Sequence, residues 1–313
     1  MVKIKDKVSA NIFMFSTYFY IIGNYNTHWR KYMKIGIDIG GSHIAIAKVQ
    51  ENKILDKKEY NYDESFKKEI QKNIVKYIKQ EVSEILKKEK IEKVGISIAG
   101  RLKENTLYIS PNLKQLEGIN FVETLEPYLQ IPVTVNKDSF CAGKAEKIYG
   151  CLNNYQTAVF LIIGTGIGAI SYRNNNLQRD GYGHMIIEKN GRQCKCGKKG
   201  CFETYGSITA LKKSLQEYLK VENMTGKEVH DYLEAHQNEE AIKILIDNYI
   251  QNFCTGLSSI IDIVLPEAVG FGGSFSYYED LFLERIQNKF KTEKLSERKM
   301  FYFNLTVGQI ILL

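Results

Sequence analysis

No apolar run in this chain is long enough to cross a bilayer, no basic arm stands apart from the rest, and the cysteines are not spread as a disulfide framework would spread them. Each absence removes a class of protein. The stretch Ile12 to Gly23 follows a lysine-bearing start, but it is too short to span a membrane. The residues after it, NYNTHWRKY, offer no small-residue cleavage site. Export and membrane association are therefore not expected, and a cytoplasmic location is. The formal net charge of +7 is dispersed over helix-like stretches, so it reads as solvated surface, and no nucleic-acid partner is expected. Low-complexity linkers are absent as well. With 313 residues, the chain is long enough for two domains of ordinary size.

What is present is concentrated. Cys194, Cys196 and Cys201 fall within eight residues, while Cys141, Cys151 and Cys254 are scattered. His184 lies ten positions ahead of the cluster. One imidazole and three thiolates match a closed tetrahedral Zn²⁺ site with no position left for water, which predicts a structural metal. Arg192, Lys195, Lys198 and Lys199 surround it, but no aromatics interleave with them, so a nucleic-acid-binding knuckle is disfavoured.

From Met33 the pattern turns regular, and the fold is expected to begin there, with residues 1–32 an N-terminal extension outside it. Strands are predicted over 34–40, 43–50 and 53–60, joined by Gly40-Gly41-Ser42 and Glu51-Asn52 as hairpin turns. An amphipathic helix follows, with Phe66, Ile70, Ile74, Ile78, Val82 and Leu86 at three- and four-residue spacing, and then a strand over 93–100. The order repeats in outline: strands over 157–164 and 168–173, a cysteine-rich insertion, a long helix carrying Ile242 to Ile261, and a strand over 268–273. Two similar α/β halves, 33–136 and 137–313, are expected to face each other across a ligand cleft.

Two turns carry chemistry. Asp38 ends a strand just before Gly40, Gly41, Ser42 and His43. A carboxylate there can hold hydrated Mg²⁺, and the glycines let backbone N–H groups reach phosphate oxygens. An ordinary hairpin with an exposed aspartate would read the same way. The second turn, Gly164-Thr165-Gly166-Ile167-Gly168-Ala169, formally fits a dinucleotide-binding pattern. That pattern requires a helix immediately afterwards, whereas Ile170-Ser171-Tyr172 followed by Arg173 to Asn176 reads as a hairpin. A second phosphate-gripping turn is preferred to a nicotinamide site.

Taken together, the glycine turns, GISIAG (95–100), Ser110-Pro111-Asn112-Leu113 and the H…CxCGxxGCxE segment (184–203) resemble the ROK family, which includes bacterial glucokinases and N-acetylmannosamine kinases. The resemblance covers 33–274. It implies an α/β, two-domain actin-like ATPase fold of the ribonuclease H and hexokinase type, with a zinc-binding insertion at 184–201. It also implies ATP, Mg²⁺ and structural Zn²⁺, a hexose or N-acylhexosamine substrate, and a homodimer.

By matching Val135 to Glu146 with the family's catalytic segment, the resemblance makes Asp138 the general base. It assigns Asn112, Lys137, His184 and Glu203 to the sugar, and Asp38, Gly40, Gly41, Ser42, His43, Gly164, Thr165 and Gly166 to the phosphates. Gly272 and Gly273 would pass under the adenosine. Two positions depart from the family pattern: Lys137 replaces the usual Asn before the base, and Gly181 replaces a Glu three residues before the zinc histidine. An ammonium beside Asp138 stabilises its carboxylate and weakens it as a base. The C-terminal NLTVGQIILL also lacks the family's closing helix. A sugar-binding or sensing homologue without catalysis is therefore the alternative. The family's DNA-binding winged helix is not expected, because residues 1–32 are too few and wrongly patterned for one.

Overall fold

The computed structural model describes residues 33–50, 53–110, 113–292 and 302–305. The N-terminal extension, the turn Glu51-Asn52, Pro111, Asn112 and the C-terminal segment after Leu305 lie outside the described residues. So does any statement about a closing helix there.

Strands β1 (Met33–Ile39), β2 (His43–Gln50) and β3 (Lys53–Asn61) form an antiparallel meander, as the alternation of the sequence predicts. The single helix expected next is two, α1 (Glu64–Lys68) and α2 (Ile70–Leu86), broken at Glu69 with φ −126° and ψ 45°. The break has a local cause. The Asn73 side-chain amide donates to the Phe66 carbonyl at 3.0 Å, and Phe66 turns onto Tyr60 and Tyr62, with ring centroids 4.8 and 5.1 Å away. Beyond the break, Ile70, Ile74, Ile78 and Val82 form one buried stripe against the sheet. Strand β4 (Ile91–Ile98) then runs parallel to β1. β3 is the edge strand, and its exposed Asp56, Lys57 and Lys58 discourage further pairing.

A short hairpin, β5 (Arg101–Lys103) and β6 (Thr106–Ile109), follows, then α3 (Phe121–Leu129) and β7 (Val133–Lys137), which completes the order β3-β2-β1-β4-β7. Helix α4 (Asp138–Ile148) leaves β7 with no intervening residue. Apart from Glu146, its buried side chains are small, Ser139, Cys141, Ala142, Gly143 and Ala145, so it lies close on the next sheet.

That sheet repeats the plan of the first. Strands β8 (Ala158–Ile163), β9 (Ile167–Arg173) and β10 (Asn176–Asp180) form a second meander. After the cysteine-rich loop come α5 (Glu203–Gly206), α6 (Ile208–Leu219), α7 (Gly226–His236) and α8 (Glu240–Val264). Strand β11 (Ala268–Gly272) pairs parallel to β8, and α9 (Glu279–Thr292) and β12 (Tyr302–Leu305) finish the order β10-β9-β8-β11-β12. Helix α8 is the centre of this half. Its Phe253 packs against Phe202, Phe271 and Phe275, all with centroids within 5.7 Å. Among the described residues, no helix is long and apolar enough to cross a membrane.

Candidate active site

Each sheet opens on a glycine turn between its first two strands. In the first, the ladder ends at Ile39↔Ile44 and the Gly40 N–H donates to the His43 carbonyl at 3.0 Å. In the second, it ends at Ile163↔Ile167 and the Gly164 N–H donates to the Gly166 carbonyl at 3.0 Å. A strand, not a helix, follows the second turn, which excludes the nicotinamide-binding arrangement. The two turns face one cleft of about 880 Å³, lined from both halves.

Asp38 stands one residue before the end of β1, in register with Ser97 on β4, and is 8% exposed. Burial pushes its carboxyl up to about 7; the Ser97 hydroxyl opposes the shift and the charge of Asp138 adds to it. His43 Nε2 lies 3.9 Å from Asp38 Oδ2, and burial holds the imidazole below its ordinary value.

Asp138 occupies the first turn of α4, where its Oδ1 accepts the Ser139 N–H at 2.6 Å. Gly168 explains how that turn comes to sit beside the second glycine turn. A Cβ on Gly168 would fall 2.8 Å from Ser139 Cβ, so only glycine lets β9 approach α4 this closely. Lys137 caps α4 at the end of β7 and lines the same cleft as Asp138.

His184 sits in a 3-10 turn (Tyr182–His184) entered through Gly181 at φ +96°, a left-handed conformation that suits glycine. A tight knuckle follows: Cys194 N–H donates to the Lys198 carbonyl at 2.9 Å, and Gly197 N–H to the Cys194 carbonyl at 3.1 Å. The ligand atoms of His184, Cys194, Cys196 and Cys201 all lie within 4.8 Å of one another. Cys196 Sγ is 3.6 Å from Cys201 Sγ, and Cys194 Sγ is 3.8 Å from His184 Nδ1. A tetrahedral zinc with bonds of about 2.0–2.3 Å separates its ligand atoms by roughly 3.5–3.8 Å, so the donor set fits the metal. Two of the four ligands are fixed by packing: Cys194 and Cys201 are buried, and Phe202 carries the loop into the α8 core.

Glu203 joins this centre to the cleft. Its Oε1 accepts from Cys194 Sγ at 3.0 Å and lies 3.4 Å from His184 Nδ1, while its Oε2 would be 2.7 Å from a Cβ on Gly166. Burial, and secondarily Glu203, raises the Cys194 thiol. Burial lowers His184; Glu203 opposes this, and Arg101, Lys137 and Lys198 add to it.

Of the residues expected at the site, Asp38, Gly40, Gly41, Ser42 and His43 line the cleft from one half. Gly164, Thr165, Gly166 and Gly273 line it from the other, with Cys196, His184 and Glu203 at the Cys/His loop. Gly272 is buried one residue behind, at the end of β11, and Asn112 lies outside the described residues. Arg101, Lys195, Lys198 and Tyr277 also line the cleft and were not anticipated. A lone arginine after Gly100 belongs to no motif, and the two loop lysines stand in the sequence only as the basic surround of the Cys/His cluster.

Two sheets of the same strand plan, each presenting a glycine turn to a shared cleft, define an α/β fold of the actin-like ATPase class, here with a Cys/His loop suited to zinc. The chain belongs to the ROK family, whose model matches residues 34–310. It is 27% identical to a glucokinase of Thermotoga maritima, over 82% of this chain and 86% of that protein. To an N-acetylmannosamine kinase of Vibrio cholerae it is 27% identical, over 80% and 87%, and to the xylose repressor of Bacillus subtilis 26%, over 84% and 70%. In structure it resembles a ROK family glucokinase from Streptomyces griseus in complex with glucose and AMPPNP, with a TM-score of 0.73 and 24% identity, covering 90% of this chain and 96% of that one. A ROK hexokinase from Thermus thermophilus gives 0.74 at 19% identity, covering 90% and 95%.

Proposed function

We propose that this protein is an ATP-dependent sugar kinase, with Asp138 taking the proton from the acceptor hydroxyl as that oxygen attacks the γ-phosphate. The reading is carried by one convergence: two glycine turns, two acidic side chains and the Glu203–His184 pair line a single cleft. Phosphoryl transfer is mainly positioning and charge neutralisation, and this cleft offers the means for both.

The glycine turns would hold phosphate oxygens on their backbone N–H groups. Asp38, buried at a cost that a cation would relieve, is the residue suited to hold Mg²⁺, which supplies charge neutralisation when bound. His184 would spend Nδ1 on zinc and present Nε2 to a sugar hydroxyl, with Glu203 beside it. Zinc would hold the loop in shape and take no part in the chemistry. Glucose is the first acceptor to try and N-acylated hexosamines the next, given the kinases among the relatives. Cytoplasmic residence and a homodimer complete the proposal.

A sugar-binding protein without turnover is the second reading, favoured by Lys137 beside Asp138 and by the likeness to a xylose repressor. Coupled ADP release from ATP–Mg²⁺ against hexoses and N-acetylhexosamines separates the two. Sugar-dependent turnover should fall about 10²–10⁴-fold in Asp138→Asn. Folded, zinc-loaded protein that turns over no sugar would replace the kinase reading with the second one.

A further inference from the structure

Among the described residues, which include all six cysteines, Cys196 is the exposed one; Cys151 is half-buried and the other four are buried. Cys196 is also the cysteine that lines the cleft. A second sulfur waits beside it. Cys196 Sγ lies 3.6 Å from Cys201 Sγ, and Cys201 is fully buried, followed directly by Phe202 in the α8 core. Cys194 is held differently: its Sγ donates to Glu203 Oε1 at 3.0 Å and accepts the Cys196 N–H at 3.5 Å. A disulfide brings its sulfurs to about 2.0 Å, so Cys196 and Cys201 are about 1.6 Å short of one. The connecting Gly197, Lys198 and Lys199 are exposed, so the part of the loop that must move is at the surface while Cys201 stays anchored. An accessible thiolate with a second cysteine poised beside it is the arrangement that responds to oxidants.

We infer that Cys196 and Cys201 form a peroxide-responsive pair, in which oxidation joins the two sulfurs and undoes the Cys/His site. The Cys196 thiolate attacks one oxygen of hydrogen peroxide; the O–O bond breaks, a sulfenic acid forms and hydroxide leaves. The Cys201 thiolate then attacks that sulfur, and the S–O bond breaks as the S–S bond forms, releasing a second hydroxide. The two sulfurs lose two electrons and the peroxide gains them. His184 and Cys194 then remain as donors, too few for a closed zinc site. A dithiol reverses the change by exchange, as exposed disulfides allow. Cys201 stands two residues before Glu203, which lines the cleft with His184. Loss of the knuckle therefore reaches the sugar site, a consequence that rests on the reading above.

The test treats zinc-loaded protein with micromolar to millimolar hydrogen peroxide, reads released zinc with a chromogenic chelator, and maps disulfides by mass spectrometry of alkylated peptides. Release of about one equivalent of zinc per chain is expected, with one disulfide, Cys196–Cys201, and recovery of both thiols and metal binding on adding dithiothreitol and zinc. In Cys201→Ser, which lacks the resolving sulfur, dimedone should trap a sulfenic acid on Cys196; if that variant does not fold, the wild-type map decides. A disulfide between other cysteines overturns the inference, as does oxidation of Cys196 to a sulfinic acid with no disulfide. So do zinc and thiols left unchanged at peroxide concentrations that oxidise the urea-unfolded chain. Protein that holds no zinc at the outset would remove the zinc reading, and the mapped disulfide would still decide the pair. Absence of sugar-dependent ADP release would remove the kinase reading and leave the disulfide map and the zinc release to decide this one.

Discussion

Replacing Asp38 by Asn should stabilise the protein, and by an amount that depends on pH. Burial raises this carboxyl from 3.8 to about 7, so between those values the unfolded chain has released a proton that the folded chain keeps. The unfolded state then binds fewer protons, and wild-type stability falls as pH rises through that window. Below 3.8 the aspartate is neutral in both states and contributes nothing; above about 7 the full penalty applies. At about 1.36 kcal/mol per pKa unit the penalty approaches about 4 kcal/mol at pH 8, against roughly 1.6 at pH 5. An asparagine carries no such penalty. The Asp38→Asn variant, without nucleotide or divalent cation, should therefore gain about 2–3 kcal/mol over wild type between pH 5 and pH 8. Urea midpoints across that pH range measure this directly. An advantage for Asp38→Asn that is flat with pH would refute the reasoning, because a steric or hydrogen-bonding effect has no reason to titrate. Millimolar Mg²⁺ with ATP should close the gap from the wild-type side if Asp38 helps to hold the cation.

Two substitutions probe the zinc loop and its link to the cleft. Cys196→Ser should lower both zinc content, from about one equivalent, and the melting temperature; unchanged zinc by metal analysis would remove Cys196 from the ligand set. Gly166→Ala places a methyl 2.7 Å from Glu203 Oε2 and must displace that carboxylate, so sugar affinity should fall by tenfold or more while the fold melts normally. Unaltered affinity would separate Glu203 from the sugar site.

The elements that were plain in the sequence are those with strong periodicity. β1, β2 and β4 alternate or run apolar over seven or eight residues, and α8 keeps one pattern for 25. The hairpin β5–β6 did not stand out, because strands of three and four residues carry too little pattern to separate from a loop. Helix α4 is hidden for a different reason. Its buried face is serine, cysteine, alanine and glycine with one carboxylate, Glu146, small side chains suited to close approach instead of apolar bulk, so it shows little amphipathicity. The Cys/His cluster announces itself by residue type and spacing. Arg101 and Lys198 do not, since their place at the cleft depends on a hairpin and a knuckle that bring them to His184 only in three dimensions.

The direct passage from β7 into α4 sets the mechanics of the cleft. The helix is covalently the continuation of the first sheet, yet its small face is seated on β8 and β9 of the second, with Gly143 against Ile170 and Ser139 against Gly168. If the halves rock apart, the pivot falls at the Lys137–Asp138 peptide, and Asp138 rides with the second half. Asp138 would then keep its spacing to the Gly164–Gly166 turn in every posture, while Asp38 and the Gly40–His43 turn swing in and out like a jaw. Opening would thus dismantle the cleft by withdrawing the first turn from the second, without loosening the grip of α4 on its sheet.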